Sequence, residues 1–220
     1  MKSYSERLYV VGARGLLILV LGCLSLNALA QNQTKEQQID RQVKAFLKEQ
    51  AGSWRDMNVP KSDAELLYDL VIKGNYKNAL EIGTSTGYSG IYIAWALSKT
   101  GGKLITIDID ERRHKKAVEN FKNAGLSDYV DARLADAHAL VKELEGPFDF
   151  VFSDADKNWY RNYFNDIHPN LSIGGCYTTH NITSAGWNSD YYDFIMDQDN
   201  YESTLDASGG GMLISYKKSD

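Results

Sequence analysis

Cysteine is scarce: the 220-residue chain holds two, Cys23 and Cys176. Cys23 falls in an N-terminal run expected to be removed, which leaves Cys176 alone and excludes an internal disulfide framework. Long apolar runs are missing as well. The stretch GLLILVLGCLSLNALA, residues 15–30, offers about 16 uncharged residues against the roughly 20 that cross a bilayer, so no stable membrane span is expected. A basic excess is also absent: 24 Lys and Arg stand against 29 Asp and Glu, a net charge of −5. With no basic cluster, nucleic acid is not an expected partner. There is no internal repeat, low-complexity tract or long linker. What remains is a chain with 43% hydrophobic residues, enough for the core of one compact α/β domain and short for two.

The first thirty residues have a layout of their own. Lys2, Arg7 and Arg14 precede the apolar run, which closes on Ala28-Leu29-Ala30. A basic start, a short apolar centre and a small-x-small end make a secretory signal peptide. The expectation is export, to a periplasm, with cleavage after Ala30. A lipid anchor through Val20-Leu21-Gly22-Cys23 and a cytoplasmic location are the alternatives. The expected division is a signal segment at 1–30, a helical segment at 31–58 and the main domain at 59–220.

In TKEQQIDRQVKAFLKEQ, residues 34–50, Ile39, Val43, Phe46 and Leu47 share one face at helical spacing behind a Thr34 cap. This helix could cover a site or make a homodimer contact. SDAELLYDLVIK predicts a second helix, with Ser62 and Glu65 spaced as a capping box and Gly74-Asn75 as its stop. From there β-rich runs alternate with helical segments: NALEIG, a helix near 88–99, KLITIDI, a helix near 111–123, YVDARLA, a helix near 137–145, FDFVFSD, a helix near 159–167, and LSIGGCYTT. That alternation predicts a parallel sheet with helices on both faces. YYDFIMDQ then reads as a helix, and YESTLDA and GMLISYKK as an antiparallel pair closing one edge.

Ligands of such a sheet bind beyond the C-terminal ends of its strands, and the residues leaving each run are polar or glycine-rich. The first strand exits through Glu81-Ile82-Gly83-Thr84-Ser85-Thr86-Gly87-Tyr88-Ser89. Small residues there let backbone approach a ligand and leave amides free at a helix start. The pattern is E-x-G-x-x-x-G, not the G-x-G-x-x-G of dinucleotide binders. An acidic Glu81 at the loop mouth repels pyrophosphate and suits an ammonium. The second strand ends in Ile107-Asp108-Ile109-Asp110, where Asp108 is placed to accept ribose hydroxyls and Asp110 to cap the next helix. Asp136, before Ala137, could meet an adenine or simply cap a helix. The fourth strand runs from buried residues into Asp154-Ala155-Asp156-Lys157, and the fifth delivers His180 and Asn181 to the same edge. Asp154, His180 and Asn181 could converge on one cation. Trp54, Trp159, Tyr160, Trp187, Tyr191 and Tyr192 are candidates for the wall of an acceptor pocket, or for core.

EIGTSTGYSG, ITIDID, SDADK and the GG-to-HN stretch of GGCYTTHN resemble, in order and spacing, the cation-dependent O-methyltransferases of the catechol and caffeoyl-CoA type, over roughly 59–218. The resemblance implies a Rossmann-like class I methyltransferase fold: a mostly parallel seven-stranded sheet with one antiparallel edge strand. It implies S-adenosylmethionine as cofactor, with Glu81, Gly83, Thr84 and Ser89 around its methionine part, Asp108 on the ribose, Ala137 near the adenine and Asp156 near the amino group. It also implies a divalent ion on Asp154 and on an Asp-Asn pair ending the next strand, with Lys157 assisting deprotonation of a small hydroxylated acceptor.

This sequence departs from that pattern at the second metal carboxylate, where His180 stands. Mg²⁺ prefers oxygen, whereas imidazole suits Zn²⁺, Mn²⁺, Fe²⁺ or Ni²⁺. A neutral ring also removes one negative charge. Three outcomes follow: a softer ion is used, the ion is lost and His180 serves as a catalytic base, or catalysis is lost. Thr183 and Ser184 replace the Leu-Trp often found after Asp-Asn, which changes the acceptor pocket. The expected function is methyl transfer to a hydroxyl of a small molecule; the alternative is an exported, non-catalytic binding protein on the same fold.

Overall fold

The computed structural model describes residues 34–183 and 188–220. The expected signal segment, Ser184 and Trp187 lie outside the described residues. Among the described residues no helix is long and apolar enough to cross a membrane. Residues 34–49 are helical (α1), and Thr34, expected as a cap, is itself part of the helix.

The chain divides into two units, Met1–Arg41 and Gln42–Asp220. The second holds the sheet, and residues 42–58, expected with a separate helical segment, fold as part of it. Aromatic packing accounts for this. Val43 and Phe46 are buried, and the ring of Trp54 lies 4.8 Å from that of Tyr88 and 6.1 Å from that of Phe46.

After α1 come α2 (Lys61–Gly74), β1 (Asn78–Ile82), α3 (Tyr88–Thr100), β2 (Lys103–Asp108), α4 (Glu111–Asn123), β3 (Val130–Leu134), α5 (Ala137–Leu140), β4 (Phe148–Ser153), α6 (Tyr160–Ile167), β5 (Leu171–His180), α7 (Ser189–Met196), β6 (Tyr201–Asp206) and β7 (Met212–Lys217). α2 stops at Gly74 because Asn75 takes the left-handed conformation, φ 51°. The expected capping box does not form: the helix begins at Lys61, and Ser62 spends its hydroxyl on the Asp63 carboxylate at 3.0 Å. α5 is shorter than expected, giving way to a 3₁₀ turn at Val141–Glu143.

The sheet has seven strands in the order β3-β2-β1-β4-β5-β7-β6. β1 to β5 are parallel, and the reversed strand β7 pairs antiparallel with both β5 and β6. The β6–β7 pair closes one edge as expected; the reversed strand itself lies one place in from that edge. Alternating strand residues feed opposite layers. Leu80, Ile82, Val151 and Tyr177 pack with Tyr163, Phe164 and Ile167 of α6 and Ile195 of α7, while Ala79, Phe150 and Phe152 are buried on the other face.

The chain leaves β1 towards β2 on one side and leaves β4 towards β5 on the other. The exits of the adjacent strands β1 and β4 therefore part, and a crevice opens between their loops. Ile82 stands beside Ser153, and Ser153 beside Thr179, which sets the glycine loop, the Asp154 loop and the end of β5 side by side.

Candidate active site

β1 runs straight into Gly83, whose φ of +105° favours glycine and whose β-carbon, had it one, would lie 2.7 Å from the carbonyl oxygen of Asp154. The amides of Gly83 and Thr84 donate to the Ile107 carbonyl at 3.0 and 3.1 Å, and the Asp154 amide donates to Ile82 at 2.8 Å. The exits of β1, β2 and β4 are thereby laced into one surface. The Ser85 amide donates to Asp108 Oδ2 at 2.7 Å, and the Asp110 amide to Asp108 Oδ1 at 2.8 Å. Asp108 is half-buried at the rim, and each of its oxygens keeps acceptor capacity for a ligand hydroxyl.

Beneath the loop lies a buried chain of hydroxyls around one carboxyl. Ser89 Oγ donates to Glu81 Oε1 and Thr106 Oγ1 to Glu81 Oε2, both at 2.5 Å, and Thr84 Oγ1 lies 2.5 Å from Thr106 Oγ1. With the Thr106 proton committed to Glu81, Thr84 is the donor to Thr106. Glu81 is fully buried, so it sits under the loop rather than at its mouth: a central strand covered on both faces offers no exposed side. Burial pushes its carboxyl up to about 8, against the pull of the Ser89 and Thr106 hydrogen bonds. Thr84, Ser89 and Ala137 are buried too. These residues shape the loop, whereas Gly83, Ser85, Asp108, Asp156 and Lys157 reach its surface.

The neighbouring acids are helix caps. Asp110 accepts from the Arg113 amide, Asp136 from the His138 amide and Asp156 from the Asn158 amide. Asp136 and Asp156 flank His138, whose Nδ1 is 3.9 Å from Asp136 Oδ1, whose Nε2 is 3.4 Å from Asp156 Oδ2 and whose ring stacks on Trp159 with centroids 4.3 Å apart. A strap before α2 crosses the loop from the other side: the Asp56 carbonyl accepts from Ser85 Oγ at 2.5 Å, and Asn58 Oδ1 from Thr86 Oγ1 at 3.0 Å. Arg112 and Arg113 grip the Asp56 carboxylate at 2.6 and 3.0 Å and hold it below the usual carboxylate range.

At the β4 and β5 ends, Lys157 Nζ donates to Asn181 Oδ1, and Asn181 takes a left-handed conformation, φ 57°, that ends β5. Tyr160 donates to the His180 carbonyl at 3.0 Å and stands 3.5 Å from Asp154 Oδ1. His180 is 3% exposed. Its Nε2 meets Asp63 Oδ2 at 2.7 Å; its Nδ1 lies 3.3 Å from Asp154 Oδ2 but makes no hydrogen bond. Burial works against a charged ring, yet Asp154 and Asp63 outweigh it and raise the imidazole above its ordinary value.

No three His, Cys, Asp or Glu side chains form a ready cage among the described residues; the candidate set is a carboxylate, an imidazole and an amide. Nδ1 of His180 lies 3.3 Å from Asp154 Oδ2, a separation that a ring proton or a cation would bridge. The ring of His180 is buried, with a carboxylate beside each nitrogen, Asp63 at Nε2 and Asp154 at Nδ1.

The expected site residues thus fall into one neighbourhood, some on its surface and some beneath. Tyr160 and Tyr191 belong to the core, and Trp159 and Tyr192 pack against it; Trp159 also stacks on His138. Asp63, Thr106 and the Asp56–arginine pairs were not foreseen. A signal for Asp63 exists: it lies four residues before Leu67 and eight before Val71 on the buried stripe of α2, where a lone carboxylate requires a partner.

An O-methyltransferase family model matches residues 30–202. The caffeoyl-CoA O-methyltransferase 1 of Eucalyptus globulus is 33% identical over 127 residues, 56% of this chain and 51% of that protein. The catechol O-methyltransferase of Niastella koreensis is 46% identical over 92 residues, 40% of this chain and 41% of that protein. The chain spans about half the length, or less, of these curated relatives. Among solved structures, the O-methyltransferase from Bacillus cereus in complex with SAH superposes with a TM-score of 0.70 at 25% identity, covering 81% of this chain and 91% of that one. The fold is that of the Rossmann-like class I methyltransferases, and the chain belongs to the O-methyltransferase family.

Proposed function

We propose that the protein transfers a methyl group from S-adenosylmethionine to a hydroxyl oxygen of a small acceptor. The observation that carries this reading is the lacing of the glycine loop to the Asp154 loop. It brings Gly83, Ser85 and Asp108, groups suited to a nucleoside, beside the polar side chains of Asp154, Lys157 and Asn181, which supports this reading. Bound S-adenosylmethionine supplies a methyl carbon made electrophilic by its sulfonium. In this reading Asp108 accepts the ribose hydroxyls, and the Gly83 turn lets the methionine part approach the backbone. Asp156 and His138 lie at the same mouth.

Transfer requires the acceptor oxygen to be aligned and its proton removed. Lys157, anchored by Asn181, stands where the β4 and β5 exits meet; in its uncharged form its amine accepts that proton as the O–C bond forms and the S–C bond breaks. Asp154 orients the acceptor hydroxyl. Alignment of the reacting groups accounts for much of the rate of such a reaction. When a divalent ion is bound, Asp154, His180 and Asn181 are the residues that would hold it, and it supplies Lewis acidity to the acceptor oxygen.

The test is calorimetric titration of the protein with S-adenosylmethionine, followed by transfer of a labelled methyl group to a panel of hydroxylated aromatic and aliphatic acceptors. Micromolar binding and label on oxygen are expected. Absence of binding in chelator and with each of Mg²⁺, Mn²⁺ and Zn²⁺ overturns the reading.

A further inference from the structure

The outer strands of the sheet are β3 and β6, and they offer a neighbour different things. β3 pairs on one side with β2 in an unbroken parallel register. Just past its end the Ala135 amide donates to the Asp108 carbonyl at 3.0 Å. Amide and carbonyl directions alternate along a strand, so Asp131 and Arg133 share that side while Val130, Ala132 and Leu134 turn theirs outward. Among the described residues no strand meets them. An open edge is a template for another strand unless proline, lysine or a bulge blunts it. VDARL has none of these, its two charges are of opposite sign, and Leu134 stands on it 48% exposed.

The order of those charges singles out the occupant. Turned about a two-fold axis through Ala132, the strand lies antiparallel to itself with Asp131 opposite the partner's Arg133, Arg133 opposite the partner's Asp131, and Val130 opposite the partner's Leu134. Within one strand Asp131 and Arg133 already touch at 2.8 Å, so the four charges alternate in a ring around the axis. The outward amides and carbonyls meet as a hydrogen-bonded antiparallel pair requires, and the exposed leucine gains an apolar cross-strand neighbour. The face that carries the charges is open as well: α5 and its 3₁₀ turn leave a groove of about 680 Å³ lined by Ile105, Asp131, Arg133, Leu144 and Phe148. β6 has no such complement, for its charged residues are both acids, Glu202 and Asp206.

We propose that β3 is a self-recognition edge, on which two copies of the chain pair antiparallel about Ala132 and join their sheets into one. The occupant is a second copy because the strand complements its own reverse in charge and in hydrogen-bond direction. Five residues a side cover less than the roughly 800 Å² per partner of a standard interface, so the dimer is a reversible one. The proposal does not depend on the methyl-transfer reading.

Sedimentation velocity over a concentration series tests it. Wild type is expected to dimerise with a Kd of about 1–100 μM. Asp131→Arg and Arg133→Asp each set like charges across the axis and are expected to weaken the dimer by about tenfold or more. Mixed in equal amounts, they set two arginines against two aspartates and are expected to associate at least as tightly as wild type, a rescue that damage to the fold does not produce. Ala132→Pro removes only an outward amide, as edge strands tolerate, and is expected to be a folded monomer by circular dichroism. A wild type that stays monomeric, a dimer unmoved by either charge reversal, or folded variants that do not associate when mixed each overturns the proposal. Should a charge variant fail to fold, an undiminished dimer in Ala132→Pro overturns it and places the contact on another face.

Discussion

Gly83 abuts Asp154 so closely that the position of its absent β-carbon is 2.7 Å from the Asp154 carbonyl oxygen. This contact joins the loop leaving β1 to the loop leaving β4, two adjacent parallel strands from which the chain departs to opposite sides. Gly83→Ala adds both a clash with backbone and a disfavoured φ. It is expected to lower stability by about 1–3 kcal/mol and to abolish S-adenosylhomocysteine binding. Chemical denaturation and calorimetry check the two halves of this expectation.

Glu81 predicts a pH dependence of stability. Its carboxyl has a value of 4.5 when free and about 8 in the fold, so the folded state keeps a proton that the unfolded chain releases. Stability from this group is complete below about 4.5 and is lost as pH rises to about 8. Glu81→Gln removes the dependence. Thermal melts between pH 5 and 8.5 are expected to fall more steeply for wild type than for Glu81→Gln, by on the order of 4 kcal/mol over the range.

Lys157 separates binding from chemistry. If it accepts the acceptor's proton, Lys157→Met is expected to lower kcat by about 10²–10⁴-fold and to leave the S-adenosylhomocysteine Kd within about twofold. Equal losses in both would place the side chain in cofactor binding instead. Single-turnover transfer and calorimetry distinguish the cases.

Asp108 makes the opposite prediction. Replacing it by Ala removes the acceptor for the Ser85 amide and for a ribose, and is expected to weaken S-adenosylhomocysteine by about tenfold or more. The catalytic rate at saturation should change far less.

The sequence is most legible where local rules act. The strands, the Gly74-Asn75 stop, the Asp110 cap and the polar exits of β1, β2, β4 and β5 follow from alternation, turn chemistry and the geometry of parallel sheets. Residues whose meaning depends on distant partners were harder to read. Asp63 is 117 positions from His180, and nothing near it in the chain announces an imidazole. Ser62 departs from the expected cap because its hydroxyl serves the neighbouring Asp63 carboxylate and not the helix end. Glu81 was placed at the surface because a loop mouth is read from spacing, whereas depth is set by the strands on either side.

The triple glycine at 209–211 gains significance from what lies under it. Gly209 and Gly210 leave room for a carboxylate and an imidazole and for no side chain of their own, so the hairpin is a mould of the pair it covers. Residues 63, 180, 209 and 210 are consequently exchangeable only as a set. A shorter acid at position 180 would free the space over Gly210 for a β-carbon, whereas the histidine confines position 210 to glycine.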